Sequence, residues 1–565
     1  MQGEKIIEKV SSRTGDQEAY TSVPPGYKPG KTKYIVITGS VISGVGKGTF
    51  SSALGNLMKL SHGLRVAPVK FDGYLNYDAG TLNPYRHGEV FVLEDGTECD
   101  LDLGTYERML NKSLTASNYL TAGKIFKTII DKERAGKYLG RDVQFIPHVT
   151  GEIKFFLRSL ALESKADIVL VEVGGTVGDI ENSYFIEAMR ELAYEEGKDN
   201  TCFVNVVYIL EPGSLGEQKS KAAQLGTKSL MSLGIQPNII MCRAEKPVKQ
   251  NIREKISVYS NVPLSRVIDM SDVENIHMVP LSLKEAGVDQ EVCSILGIKA
   301  RGPSPDFKNW QALADKIGAA KKEIVIGMTG KYTGVHDSYM SILKALEHTA
   351  SYFGAKARIK WIETSNIKNG KDAERALAVV DGMIVPGGFG ARGTEGKMLC
   401  VRHARESGLP FLGLCLGLQM AVIEFARNVC GMEGANSTEL DPDTKHPVID
   451  ILPEQKKIRG LGGTMRLGGQ KVIIKPGTLA HKLYKSDSVV ERFRHRFEVN
   501  PDFVKSLEKK GIVFSGTTPN KRIMQIMELP EHPFFIASQF HPEFTSRPLR
   551  PNPLFRGFVQ ACVKK

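Results

Sequence analysis

The chain has 565 residues, 41% of them hydrophobic and 24% charged, with a formal net charge of +12. It is too long for one core and has the composition of an ordinary globular protein, so two large domains are the first expectation. No apolar run approaches the ~18 residues that cross a bilayer, the polar start Met1-Gln-Gly-Glu-Lys lacks a signal-peptide core, and the eight scattered cysteines hold no C-x-x-C pair, which argues for a cytoplasmic protein without a disulfide framework or zinc cluster.

Residues 1–33 read as a polar tail ending in Pro24-Pro-Gly-Tyr-Lys-Pro-Gly30, a cluster that breaks both helix and strand. A buried strand follows at Tyr34-Ile-Val-Ile-Thr38. Short apolar runs recur at Ile168–Glu172, Phe203–Tyr208 and Asn238–Cys242, with helix-like stretches between them. Runs apolar on both faces, alternating with helices, argue for a parallel sheet covered by helices. The pattern lapses over 299–322, where Lys299-Ala-Arg-Gly-Pro-Ser-Pro-Asp306 reads as a linker. A second series opens at Glu323-Ile-Val-Ile-Gly-Met-Thr329 and continues through Gly382–Pro386 and Pro410–Cys415. The expected organisation is α/β throughout: a first doubly wound domain over 34–298, the linker 299–322, and a second over 323–565, both with mainly parallel sheets.

The first strand runs into Gly39-Ser-Val-Ile-Ser-Gly-Val-Gly-Lys-Gly-Thr49 and then a helical pattern. Strand, glycine-rich loop and helix N-terminus form a phosphate cradle: glycines let backbone N–H groups approach, the helix end is positive, and Lys47 adds a charge. Ser43 and Lys47 are the side chains expected on a triphosphate. The spacing departs from the standard P-loop, with Val41 where the first glycine belongs and Gly48 where Ser or Thr belongs. A ligand-free glycine turn is the bland alternative, and Lys47 weighs against it. Carboxylates for Mg²⁺ are sought in Asp100-Leu-Asp102 and in Glu172, which closes a strand ahead of Gly174-Gly-Thr-Val-Gly178. Taken singly, each is more simply a solvated loop acid. The +12 charge fits a triphosphate site. No long basic block or aromatic–basic interleaving favours nucleic acid, and no membrane partner is expected.

Gly413-Leu-Cys415-Leu-Gly417 follows a strand and precedes a helical pattern. This is the G-x-nucleophile-x-G elbow with cysteine as nucleophile, placed at a helix N-terminus where a thiolate is favoured. Pro386-Gly-Gly-Phe-Gly390 could supply oxyanion N–H groups. Gln539-Phe-His541-Pro-Glu543 offers a base with an acid two residues on, so that Cys415, His541 and Glu543 make an acyl-transfer triad. A lone cysteine among leucines is more often core, and a lone His-Pro-Glu a surface turn. Together, inside one α/β unit, they favour catalysis. The other seven cysteines are read as structural.

Pro386-Gly-Gly-Phe-Gly390, Gly413-Leu-Cys-Leu-Gly417 and Phe540-His-Pro-Glu543 resemble the class I glutamine amidotransferases. Gly88-Glu-Val-Phe-Val92, Asp100-Leu-Asp-Leu-Gly104, Glu172-Val-Gly-Gly-Thr-Val-Gly-Asp-Ile-Glu181 and Gly234-Ile-Gln-Pro237 resemble the amidoligase part of the CTP synthases. The likeness spans about 34–562. It implies a P-loop amidoligase domain joined to a flavodoxin-like glutaminase domain, and a ligase in which ATP phosphorylates the 4-oxygen of UTP and ammonia from glutamine displaces that phosphate. It further implies ATP contacts from Ser43, Gly44, Val45, Gly46, Lys47, Gly48, Lys70 and Asp102, and Mg²⁺ on Asp102 and Glu172. UTP would meet Ser43, Lys219, Lys221, Gln224 and Lys255, with CTP feedback through Asp179, Ile180 and Glu181. Glutamine would be held by Gln419, Glu439 and Arg496, with oxyanion N–H groups from Gly388 and Leu416. GTP activation, an internal ammonia passage and a homotetramer belong to the same expectation, and members of the family can form filaments. The chain departs from the family at Asp72-Gly-Tyr74 and in Glu211–Gln224, where the Lys-x-Lys-x-x-Gln groups nevertheless remain.

Two other readings compete. Another P-loop amidotransferase, such as a cobyrinic acid diamide synthase, lacks the Cys–His–Glu arrangement, so Glu543 speaks against it. A deviant-Walker partitioning ATPase accounts for Lys47 and the charge but leaves Cys415, His541 and the second domain without a role.

Overall fold

The computed structural model describes residues 23–138, 140–213, 216–299, 302–330, 336–388, 390–451 and 465–564, and the side chains of all of these except Tyr85 and His336. Residues 1–22 of the expected tail, 300–301 of the expected linker, 214–215 of the unusual loop and Phe389 of the Gly-Gly-Phe-Gly segment lie outside the described residues. Chain contacts divide the protein into two compact units, Met1–Thr81 with Thr105–Ala314, and Leu82–Gly104 with Asp315–Lys565. The division does not follow sequence order, because Leu82–Gly104 packs with the later half of the chain.

The first unit holds a seven-stranded sheet among the described residues. Its spatial order is Tyr119–Thr121, Val66–Asp72, Ile168–Val173, Lys33–Gly39, Thr201–Tyr208, Ile239–Ala244 and Val267–Ser271. Every neighbouring pair is parallel. Val66–Asp72 and Ile168–Val173 are buried along their whole length, as expected of strands covered on both faces. Lys33–Gly39 lies at the centre, and the helix Lys47–His62 starts from the loop at its C-terminal end and stops at Gly63, which is left-handed. Part of the tail is built into this unit: Tyr27 Oη and Gly30 N both donate to Glu196, at 3.0 and 2.8 Å. The stretch read as a linker contains the helix Pro305–Ala319. Pro305 opens it, and Trp310, Leu313 and Ala314 form its buried stripe; Trp310 Nε1 donates to the His277 carbonyl at 2.9 Å.

Among the described residues, the second unit is built on a nine-stranded sheet with two halves. Ala355–Glu363, Lys322–Gly330, Gly382–Val385, Phe411–Leu414 and Phe535–Ser538 run parallel. Met524–Glu528, Val513–Thr517, Arg466–Ile474 and Ser488–His495 continue it antiparallel. The sheet is therefore mixed; Val513–Thr517, Met524–Glu528 and Phe535–Ser538 follow one another on short turns as antiparallel neighbours. Helices Leu416–Asn428 and Pro553–Lys564 cover the parallel half, and apolar cores fill the spaces between helices and sheet.

Candidate active sites

In the first unit the loop after Lys33–Gly39 has the backbone of a phosphate cradle. Gly44 and Gly46 take left-handed conformations, with φ of 70° and 90°. Val41 does so as well, at φ 84°, so the chain keeps a glycine's conformation where it carries a β-branched residue, an arrangement that costs backbone strain. The side chain of Ser43 is exposed, whereas Lys47 is buried and its Nζ donates to the Gly175 carbonyl at 2.6 Å. A Cβ on Gly46 would run into the guanidinium of Arg243, so this arginine, missed in the sequence reading, lies against the loop. Its only signal is its place near the C-terminal end of the parallel strand Ile239–Ala244.

Two neighbouring strands add to the same end of the sheet. Lys70 and Glu172 are register partners, with Nζ 3.2 Å from Oε1. The other oxygen of Glu172 accepts a hydrogen bond from Tyr106 Oη at 2.5 Å. Burial, with the Glu172 charge, pushes the Tyr106 phenol well above its ordinary range. Asp72 ends the strand of Lys70 and lies against Gly174. The loop after Glu172 folds back: Asp179 accepts from Thr176 N at 2.8 Å, and the buried Asn182 donates to the Gly174 carbonyl at 2.7 Å. Ile180 projects with 84% of its surface exposed, and Glu181 follows it on the same single turn. The structure thus brings Lys47, Lys70 and Glu172 to one rim, with Asp179, Ile180 and Glu181 on the adjoining loop.

Lys219, Lys221 and Gln224 follow the strand Thr201–Tyr208, and the helix that carries Lys221 and Gln224 lies against the phosphate loop, where a Cβ on Gly226 would stand 2.5 Å from Ser40 Cβ. Lys219 pairs with Glu217 at 2.8 Å, and Lys219, with weaker help from Lys249 and Lys255, holds the Glu217 carboxyl below its usual range. Lys221 opens the helix Lys221–Ser232, and Gln224 Nε2 donates to Ser220 Oγ at 3.0 Å. Lys255 is exposed on the helix Gln250–Ser260.

Among the described residues no group of three or more His, Cys, Asp or Glu could hold a metal. Mg²⁺ does not require one, since it characteristically keeps waters and binds through one or two carboxylates together with substrate phosphates. The buried carboxylate of Glu172, on the same rim as the phosphate loop, fits that description. Asp102 sits in the first turn of the helix Leu101–Leu110, in the part of the chain that packs with the second unit.

In the second unit Cys415 occupies the turn between strand Phe411–Leu414 and helix Leu416–Asn428, at φ 52° and ψ −99°. The flanking glycines are required by close approach. A Cβ at Gly413 would stand 2.9 Å from the Gly417 carbonyl oxygen, and one at Gly417 would run into the Val385 carbonyl. Cys415 Sγ lies 3.6 Å from Gln539 Nε2 and 3.8 Å from the Arg494 carbonyl. His541 Nδ1 is 2.7 Å from Glu543 Oε1. Burial by itself lowers the affinity of His541 for its proton, but the charges of Glu543 and Cys415 and the hydrogen bond to Glu543 outweigh it, and its pKa is pushed up to about 10. The site therefore favours the imidazolium form of His541. Elsewhere burial acts the other way, pushing the thiols of Cys202, Cys242 and Cys400 up to about 12 and that of Cys293 to about 11.

A Cβ on Gly387 would meet the His541 ring at 2.8 Å and Cys415 Cβ at 3.7 Å, and one on Gly388 would touch Leu416. The Gly-Gly segment thus faces the elbow. Gln419, one helical turn after Cys415, donates to the Phe497 carbonyl at 2.9 Å, next to Arg496 in the chain. Glu439 accepts from Gly390 N at 3.1 Å. Cys415, His541 and Glu543 converge, with Gly388, Leu416, Gln419 and Glu439 around them.

Residues 33–298 match the family model described as CTP synthase N-terminus, and residues 334–561 the one described as Glutamine amidotransferase class-I. Proteins named CTP synthase from Thermococcus gammatolerans and Pyrococcus abyssi are each 51% identical, over 94% of this chain and 99% and 98% of theirs. One from Archaeoglobus fulgidus is 50% identical over 94% of this chain and 98% of its own. Among solved structures, the glutaminase domain of Trypanosoma brucei CTPS with bound acivicin is 37% identical, covering 43% of this chain and 94% of that one, with a TM-score of 0.41.

Proposed function

The chain belongs to the CTP synthase family, and from that premise we propose that it aminates UTP to CTP at the expense of ATP, with ammonia cut from glutamine at Cys415. It is a carbon–nitrogen ligase of pyrimidine biosynthesis with a synthase part and a glutaminase part. The observation that carries the residue assignment is the pairing of an elbow cysteine at positive φ with a buried imidazole held 2.7 Å from Glu543.

In the glutaminase reaction, Cys415 Sγ attacks the side-chain amide carbon of glutamine. His541 passes the proton to the departing nitrogen, and Glu543 keeps the ring charged and oriented. The N–H groups of Gly388 and Leu416 receive the oxyanion. Gln419, Glu439 and Arg496 hold the amino acid, and water then cleaves the thioester to release glutamate. In the synthase part, the N–H groups of Gly44, Val45, Gly46 and Gly48, with Ser43, Lys47 and Lys70, cradle the triphosphate of ATP. Its γ-phosphoryl group passes to the 4-oxygen of UTP, and ammonia replaces the phosphate at that carbon. Asp102 and Glu172 are the carboxylates that would hold Mg²⁺, which would supply neutralisation of phosphate charge.

Arg243, pressed against Gly46, joins the groups proposed on the nucleotide. UTP is read by Ser43, Lys219, Lys221, Gln224 and Lys255, and CTP, which shares its triphosphate, competes there with the help of Asp179, Ile180 and Glu181. GTP activation, a homotetramer that can build filaments, and a cytoplasmic setting complete the proposal. Among the described residues no helix is long and apolar enough to cross a membrane. The domain bounds proposed are 34–298 for the amidoligase and 323–565 for the glutaminase, with 1–33 as tail and 299–322 as linker. The test is incubation with UTP, ATP, Mg²⁺ and glutamine: CTP and glutamate should form together, and glutamate release without CTP would overturn the synthase assignment.

A further inference from the structure

Within the second unit, the short hairpin Phe91–Val92 and Glu98–Cys99 pairs antiparallel, Phe91 opposite Cys99 and Val92 opposite Glu98. By sequence it lies inside the stretch that matches the synthase part, yet it packs among the strands that carry the triad. The fully buried Phe91 ring meets the edge of Phe544 at 5.0 Å, and Phe544 stacks on the His541 imidazole at 4.9 Å with 15° between planes. Two arginines of strand Ser488–His495 complete the contact. Arg492 Nη1 donates to the Val92 carbonyl at 3.0 Å, and Arg494 Nε pairs with Glu98 at 2.7 Å. Two residues apart on a strand, they face the same way. Their own carbonyls turn to the triad: that of Arg492 accepts the His541 backbone N–H at 2.8 Å, and that of Arg494 lies 3.8 Å from Cys415 Sγ. Further along, Gly469 N donates to the Glu94 carbonyl at 2.7 Å.

We propose that the hairpin 91–99 is a positioning element of the glutaminase, with Phe91 setting the plane of His541 through Phe544, and Glu98 holding the strand whose carbonyls border Cys415 and His541. This rests on the reading of Cys415, His541 and Glu543 as a triad. A ring stack and a fixed strand restrict the two motions that would spoil proton transfer, tilt of the imidazole and its retreat from sulfur. Displacement by about 1 Å can cost on the order of a hundredfold in such a step. A hairpin that only filled space would affect stability and leave the chemistry of the cysteine alone. Glu543 and Cys415 act on His541, and His495 feels its charge; none of these is altered by changing Phe91.

The test uses the full chain with Phe91→Ala, Phe91→Leu, Glu98→Gln and, as reference, Cys415→Ala. Measured are glutamate release from glutamine, the rate of Cys415 alkylation by iodoacetamide across pH, and thermal unfolding. The expected result for Phe91→Ala is a fall of roughly tenfold to a hundredfold in kcat for glutamate release with little change in KM. Its alkylation profile should move to higher pH, because the imidazolium no longer sits squarely beside the sulfur. Phe91→Leu should recover much of both, and Glu98→Gln should show a smaller loss of the same kind. If Phe91→Ala does not fold, Phe91→Leu and Glu98→Gln decide. Wild-type alkylation profiles and wild-type glutamate release in the folded variants would overturn the inference. If Cys415→Ala itself still released glutamate, the triad reading would fall, a separable outcome.

Discussion

Lys70 and Glu172 stand opposite one another on neighbouring parallel strands, Nζ 3.2 Å from Oε1, with both side chains almost wholly removed from water. A carboxylate this deeply buried is sustained by its partners, here Lys70 and Tyr106. It stands on the rim of the phosphate loop, where a carboxylate can serve a hard cation. Glu172→Gln should raise the Mg²⁺ requirement for CTP formation sharply, because a neutral amide is a poor ligand. Asp102→Asn should do the same. The check is a Mg²⁺ titration at saturating nucleotide, and unchanged curves in both variants would place the metal elsewhere.

Lys47→Ala should lower CTP formation by roughly 10²–10³-fold from either nitrogen source, since the variant lacks the charge that meets the developing phosphoryl charge. Lys47 is already aimed at the loop's rim through its bond to the Gly175 carbonyl. Glutamate release should persist in part. Near-normal CTP formation would contradict the phosphate-loop assignment.

CTP should inhibit competitively with UTP, because the triphosphate common to both can use Lys219 and Lys221. Lys219→Ala should therefore weaken UTP and CTP together, read as parallel rises in KM and in the inhibition constant. Inhibition that high UTP fails to relieve would argue against a shared site.

The raised pKa of His541 has a sign that stability measurements can read. A group whose folded pKa lies above its unfolded value contributes stability that is fully present below the unfolded value and lost as pH rises through the folded one. For His541 that window runs from 6.5 to about 10. Thermal melting of the wild type should fall more steeply across this window than that of His541→Ala. Parallel curves would mean that the imidazole gains no proton affinity in the folded state.

Local features of the two sites were legible in the sequence. The elbow at Cys415, the His541–Glu543 pair and the loop at Lys47 each lie within a short stretch whose spacing carries the geometry, and the central strands announce themselves as apolar runs. What was not legible depends on distant pairings. Arg243 reaches the loop only because its strand lies two places from Lys33–Gly39 in the sheet. Tyr106 finds Glu172 across 66 residues, and Phe91 finds Phe544 across more than four hundred. The helix Pro305–Ala319 was hidden by the Gly-Pro-Ser-Pro before it, where a proline that reads as a breaker is in fact its first residue. The antiparallel half of the second sheet has no single-strand signature that separates it from the parallel half.

The most direct measurement of the central claim, that one chain joins a cysteine glutaminase to a separate synthase chemistry, is CTP formation by Cys415→Ala with glutamine or with ammonium chloride as nitrogen source. Attack on the amide needs sulfur, and alanine offers none, whereas ammonia in solution needs no thioester. The account predicts that glutamine-dependent synthesis falls to background while ammonia-dependent synthesis stays near the wild-type rate. Retention of glutamine-dependent synthesis, or loss of both activities in a folded variant, would contradict it.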